Sequence, residues 1–188
     1  MTPADEIYLQ LPLHTWSLIP LAPGSKKPLY SWKKHQKEKL SPSDLERIYK
    51  ANPYAGIAVV TGRISGLCIL DVDRKSGGFQ TLAELEKIHG HLPETSKVLT
   101  GSGGYHFYFS YQRSDIGNNA GTLGPGIDIR GEGGYAVCPP SIHPNGNQYK
   151  WVEGYSPDEI EIAALPAWME TLLKSPKANY QERDKDQS

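Results

Sequence analysis

Two acids separated by a single residue, Asp71 and Asp73, close an apolar run that begins at Gly66. Successive side chains of a strand point to opposite faces, so Gly66-Leu67-Cys68-Ile69-Leu70-Asp71-Val72-Asp73 as a strand sets both carboxylates on one face. Carboxylates one pleat apart repel each other, and partial burial adds to the cost. A divalent cation that prefers hard oxygen ligands, Mg²⁺ or Mn²⁺, removes that cost. On this stretch alone a second reading stands beside the first: a strand that ends in a polar turn, with both acids in water. Two further stretches carry compatible chemistry. His106 follows Gly101-Ser102-Gly103-Gly104, a turn whose small residues let backbone N–H groups approach an anion closely. Asp128 and Arg130 alternate with Ile127 and Ile129, so they face away from the core together. If the three strands are neighbours, three carboxylates and a histidine converge on one sheet face. That set suits metal-assisted phosphoryl transfer, with cationic side chains holding the leaving pyrophosphate. A serine or cysteine hydrolase fits poorly, because there is no Gly-x-Ser-x-Gly elbow and no Cys–His signature.

The elements that must position these residues follow from local patterns. Thr2-Pro3-Ala4-Asp5 is a helix start, and Trp16 to Leu21 is a first strand. Pro23-Gly24-Ser25-Lys26-Lys27-Pro28 is a turn with two cations, but it lacks the glycine spacing of a Walker loop. Ser41-Pro42-Ser43-Asp44 opens a helix through Asn52, closed by Pro53. Gly56 to Gly62 is a short buried strand, and the turn around Arg63 to Ser65 predicts a hairpin with the acidic strand. A helix follows Ser76-Gly77-Gly78 with Leu82, Leu85 and Ile88 inward, and His89 and His91 are cap or surface residues. Val98 to Phe109 is a second hairpin, with Tyr105, Phe107 and Phe109 on one face and His106 and Tyr108 on the other. Residues 112–126 have no period and are a mobile loop. Gly133 to Ser141 is another strand, and Asn145-Gly146 is a tight turn before Gln148-Tyr149-Lys150-Trp151. Ser156-Pro157-Asp158-Glu159 caps a last helical region, interrupted at Pro166 and ending near Lys174.

The chain of 188 residues is long enough for one domain with a real core, and 38% apolar content with 19 glycines and 15 prolines suggests a loop-rich α/β or α+β protein. A formal net charge of -1 supplies no global attraction to nucleic acid, so any such contact needs a local basic patch. Cys68 and Cys138 are the two cysteines, and without a CxxC pair a structural zinc site is not expected and the reduced cytoplasm is the natural compartment. No signal peptide or membrane-length apolar run is present. Ser175 to Ser188 has the composition of a tail or linker.

Leu70-Asp71-Val72-Asp73, Ser102-Gly103-Gly104-Tyr105-His106 and Gly126-Ile127-Asp128-Ile129-Arg130 together resemble the three motifs of the archaeo-eukaryotic primase superfamily. The resemblance is closest to its bifunctional primase–polymerase (prim-pol) branch, found in plasmid, phage and mobile-element replication proteins. It runs from about Trp16 through Trp151 and takes in Lys26-Lys27-Pro28 and Pro139-Pro140-Ser141-Ile142-His143. It implies an α+β fold, an RRM-like antiparallel sheet flanked by helices, here with an N-terminal αβ extension and a catalytic domain over residues 1–174. It implies that Asp71, Asp73 and Asp128 bind two divalent ions, Mg²⁺ or Mn²⁺ and not zinc, and that His106 contacts the phosphates of the incoming nucleotide. Ser102, Gly103 and Gly104, with Arg130, Lys26, Ser141 and His143, become candidates for nucleotide or template contact. The implied activity is template-dependent nucleotide addition on single-stranded DNA and a primer, using ribo- or deoxyribonucleoside triphosphates. Some relatives carry a zinc-binding stem, for which this sequence lacks the cysteines, and many continue into a helical priming domain and a helicase. Such a partner is expected downstream or in trans, and without it primer extension is expected to exceed unprimed synthesis. The main rival is a non-catalytic RRM-like module that stacks bases on Tyr105-His106-Phe107-Tyr108-Phe109. A rolling-circle nicking enzyme ranks below both, since it needs a His-hydrophobic-His motif.

Overall fold

The computed structural model describes residues 15–175, so the helix start at Thr2-Pro3-Ala4-Asp5 and the tail beyond residue 175 lie outside the described residues. Three strands make one antiparallel sheet: β1 (Ser17–Leu21), β2 (Gly56–Val60) and β8 (Tyr135–Cys138), in the order β1-β2-β8. A second antiparallel sheet contains β3 (Leu67–Val72), β4 (Lys97–Leu99), β5 (Tyr105–Ser110), β6 (Asn119–Ala120), β7 (Ile127–Arg130) and β9 (Lys150–Trp151). Its order is β6-β7-β3-β5-β4-β9. Helices α1 (Pro42–Ala51), α2 (Gly78–His89) and α3 (Ala167–Lys174) complete an α+β fold.

Within the larger sheet the chain runs β3, α2, β4, β5, β7, while the spatial order is β7-β3-β5-β4. That is the split βαβ arrangement of an RRM, as expected. The second helix of that arrangement is missing between β5 and β7. Residues 111–126 stand in its place and contribute β6, so the stretch read as an aperiodic loop holds one short strand.

The alternation of β3 explains the layering. Leu67 and Ile69 share one core with Leu18 and Val59 of the smaller sheet, and with Tyr108 and Val98 of their own. Cys68, Leu70 and Val72 share the other core with Ile127, Ile129 and Phe109, against Leu82 and Leu85 of α2 and Met169 of α3. Each fully buried Leu or Ile in these rows contributes about 1.5–3 kcal/mol. β3 is thus apolar on both faces, and Asp71 appears where one row emerges from between the sheets. Cys68 and Cys138 are free thiols in different cores, both pushed up to about 12 by burial.

Several expectations need correction. The predicted hairpin of β2 with β3 does not form: only a bridge from Gly62 to Leu67 closes that turn, and the two strands then enter different sheets. The expected N-terminal αβ extension is present as β1, α1 and β2, and its sheet is completed by β8 from late in the chain. Ile88 is 74% exposed, because α2 outruns the sheet beneath it. Ser156 and Glu159 do form a capped turn, Ser156 Oγ donating to Glu159 Oε2 at 2.8 Å, but no helix follows until Ala167. α1 begins as predicted, with Ser41 Oγ accepting the Asp44 N–H. His89 stacks on Trp168 and His91 lies beside Glu86, both away from the acidic strand. Among the described residues no helix is long and apolar enough to cross a membrane.

Candidate active site

Register brings the sequence motifs together. Asp71 on β3 is directly opposite His106 on β5 and directly opposite Asp128 on β7, so acid, acid and imidazole form one cross-strand row. The His106 Nε2 lies 3.5 Å from Asp71 Oδ1. Arg130 Nη2 lies 3.4 Å from Asp71 Oδ2 and 3.4 Å from Asp128 Oδ2, a guanidinium bridging two carboxylates. Burial pushes Asp71 up, but the bond and charge of His106, then Arg130, outweigh it and hold the carboxyl at about 2. Asp71 is therefore ionised at neutral pH. His106 is buried, and its Nδ1 has no hydrogen-bond partner.

Asp73 stands just past the end of β3. Its N–H donates to Gly126 O, and its carboxylate accepts the Lys75 N–H at 2.8 Å and the Ser76 hydroxyl at 3.0 Å. Asp73 is thus bonded within the turn that follows β3, while Asp71 faces the cross-strand row. Both acids still line one cavity of about 340 Å³, with Asp128, His106, Arg130, Lys26, Ser102 and Tyr149 among its walls. An adjoining hollow of about 260 Å³ shares Lys26, Asp71, His106, Arg130 and Tyr149 and reaches Trp32 and Tyr135 of the smaller-sheet side.

The glycine turn is held rigidly beside this cavity. Thr100 Oγ1 accepts the Gly104 N–H at 3.0 Å, and Gly103 has φ +85, a conformation that favours glycine. A Cβ on Gly104 would stand 2.3 Å from Val72 O, so only glycine lets this turn lie against the end of β3. Asn145 and Asn147 both donate side-chain N–H groups to Gly101 O, at 2.9 and 3.0 Å.

Not every candidate reaches the cavity. Ser102 and Lys26 line it, and the Tyr135 hydroxyl donates to Lys26 O, fixing that turn against β8. Gly103 and Gly104 shape the turn without lining the cavity. Ser141 does not line it: its hydroxyl is 2% exposed, accepts the Ile57 N–H at 2.8 Å and donates to Ile57 O at 3.0 Å. His143 stands behind Tyr149, with ring centroids 5.9 Å apart, and Tyr149 in turn meets His106 at 6.0 Å. Tyr149, Trp32 and Tyr135 were missed as wall residues. The alternation of Tyr149 with Trp151 was the available signal for the first, and the aromatic placed among lysines for the second.

Among the described residues no three His, Cys, Asp or Glu side chains are gathered closely enough to surround one ion. Asp71 and Asp128 nevertheless offer facing carboxylate oxygens with a cationic group already between them. Carboxylate oxygens are the hard donors that Mg²⁺ and Mn²⁺ favour. No curated protein matches the chain. An RRM-like sheet that aligns two acids and a histidine across three strands agrees with a family model that does match, bifunctional DNA primase/polymerase, N-terminal, over residues 9–168, and the chain belongs to that family.

Proposed function

We propose that this protein is a template-dependent nucleotidyltransferase that extends or synthesises primers on single-stranded DNA in replication of a plasmid, phage or other mobile element. The observation that carries the reading is the row Asp128–Asp71–His106, set by strand register on a single face. In the reaction the primer 3′ oxygen bonds to the α-phosphorus of the incoming nucleotide, and the bond from that phosphorus to pyrophosphate breaks. Asp71 and Asp128, joined by Asp73, are the residues to hold Mg²⁺ or Mn²⁺, which when bound would neutralise phosphate charge and acidify the attacking hydroxyl. Asp71 is ready for that role because its neighbours keep it ionised. His106, Arg130 and Lys26 face the same space with the donors and charge that triphosphate oxygens require. Ser102 adds a hydroxyl at the mouth of the glycine turn.

The rival, a base-stacking RRM, is disfavoured by where the aromatics go. Tyr105 lies beside Phe107 and stacks on Phe79 of α2, and Lys97 covers both strand rings. On the opposite face Tyr108 is wholly buried under the smaller sheet. The test is primer extension with Mg²⁺ or Mn²⁺ and either nucleotide type, comparing the parent with Asp71→Asn and Asp128→Asn. Both variants are expected to lose at least ~100-fold in rate while remaining folded at the assay temperature, as a thermal melt checks. Extension near the parent rate by either variant, or binding of DNA without any metal-dependent extension by the parent, refutes the proposal.

A further inference from the structure

Six of the chain's 20 lysines and arginines fall within residues 26–39: Lys26, Lys27, Lys33, Lys34, Lys37 and Lys39. Glu38 is the one acid among them, so a protein of formal net charge -1 concentrates positive charge on one edge. The segment is firmly anchored. Leu29 N–H donates to Pro20 O, Ser17 Oγ donates to His35 O at 2.7 Å, and Lys39 Nζ donates to Thr15 O. Between it and α1 runs a groove of about 530 Å³, floored by apolar residues such as Ile19 and Ile48 and edged by Lys34 and Arg47. Tyr30 stands in this groove 56% exposed, an aromatic ring offered to solvent. Trp32 lines both this groove and the hollow that contains Asp71, His106 and Arg130, so one side chain borders the two.

We infer that this groove is the bed of a single-stranded nucleic acid, carrying the template strand past Trp32 to the nucleotide site. The inference rests on the polymerase reading for its purpose, but its chemistry is independent. A single strand needs cations along its phosphates and aromatic faces for its unpaired bases, and the groove supplies Lys34 beside Tyr30 and Trp32. The one acid on the groove wall, Asp44, is already neutralised by Arg47 at 2.7 Å. A folded protein partner would need no such lysine series, and a flat acidic lipid surface would need no groove.

The experiment is fluorescence anisotropy of labelled oligothymidylate and oligouridylate at several salt concentrations, on the parent, Tyr30→Ala, Lys34→Glu and Lys87→Glu. Lys87 is an exposed residue of α2, in the layer on the other side of the large sheet, and controls for charge alone. Tyr30→Ala is expected to weaken binding about tenfold, and Lys34→Glu to weaken it and lower the salt slope by ~0.7. Lys87→Glu should bind like the parent, and thermal melts check that all variants fold. Parent-like binding by both groove variants, or equal loss in Lys87→Glu, overturns the inference. Loss on one polymer or on both supports it and identifies the strand as DNA, RNA or either. Binding of Mg²⁺–nucleotide, read by thermal shift, should be unchanged in the groove variants. A parent that binds the oligomer through Tyr30 and Lys34 yet extends no primer would refute the polymerase reading and leave the groove standing.

Discussion

Ser141→Ala separates structure from chemistry at a residue whose motif suggested nucleotide contact. The hydroxyl is 2% exposed and is committed twice, accepting from Ile57 N–H at 2.8 Å and donating to Ile57 O at 3.0 Å. Ile57 is wholly buried, so no water replaces the lost partner. Stranding one buried N–H costs ~1–3 kcal/mol, and the second bond contributes a further fraction, giving about 2–3 kcal/mol. For a domain of this size that loss lowers the melting temperature by about 5–10 °C. Nucleotide affinity, measured on the folded variant by isothermal titration with Mn²⁺, should equal that of the parent, because Ser141 lines neither cavity. Ser102→Ala is the complement: its side chain faces the cavity, so its melting temperature should hold while nucleotide affinity falls about tenfold, the worth of a hydrogen bond to a charged oxygen. A Ser141→Ala protein with parental melting temperature and weakened nucleotide binding would refute this reasoning and return Ser141 to the site.

Three further outcomes are expected. Gly104→Ala places a Cβ 2.3 Å from the Val72 carbonyl oxygen, a backbone atom that cannot swing aside, so the melting temperature should fall by at least several degrees; an unchanged melt would show that the turn is free to shift. Arg130→Ala leaves Asp71 and Asp128 facing each other without their bridging cation, so the variant should be less stable in metal-free buffer and gain more from added Mg²⁺ than the parent; equal gains would contradict the bridge. The hydrogen bonds of Lys174 and Tyr111 hold Asp115 down at about 2. A depressed carboxyl contributes stability that is present above its unfolded pKa and lost as pH falls toward the folded one, so Asp115→Asn should flatten the fall in melting temperature between about pH 4 and 2. Superimposable acid limbs would exclude that contribution.

The acidic strand, the glycine turn and the Ile-Asp-Ile-Arg strand were legible because period-two alternation assigns faces without knowledge of the partner strand. Alternation put Asp71, His106, Asp128 and Arg130 on faces that the register then aligned, the first three in one row and Arg130 one pleat along, opposite Ile69. Pairing was less legible. The turn at Arg63 to Ser65 reverses the chain, and Gly62 and Leu67 exchange hydrogen bonds, but a turn signature specifies reversal and not the sheet that each arm enters. Ile88 kept its helical phase and lost its cover, since periodicity cannot say where the supporting sheet stops. Ser156 shows the same limit at shorter range: the capping bonds formed around a turn that leads to no helix. Ser141 entered as a candidate through the resemblance alone, and its hydroxyl is held by the Ile57 backbone; Asp73, placed by alternation, also bonds to the turn after β3, a local contact that face assignment does not reveal.

β3 is bonded to β5 on one side and β7 on the other, and its side chains are buried on both faces through Leu70. Amide protons in such a strand exchange with solvent only when the whole fold opens. The turn at residues 74–77 and the glycine turn at residues 101–103 have no second strand beside them and exchange through small local openings. Deuterium should therefore enter the turns around the cavity long before it reaches Ile69 to Asp71. Two clocks run side by side here: a slow one for the strand that carries Asp71, and a fast one for the turns that border its cavity.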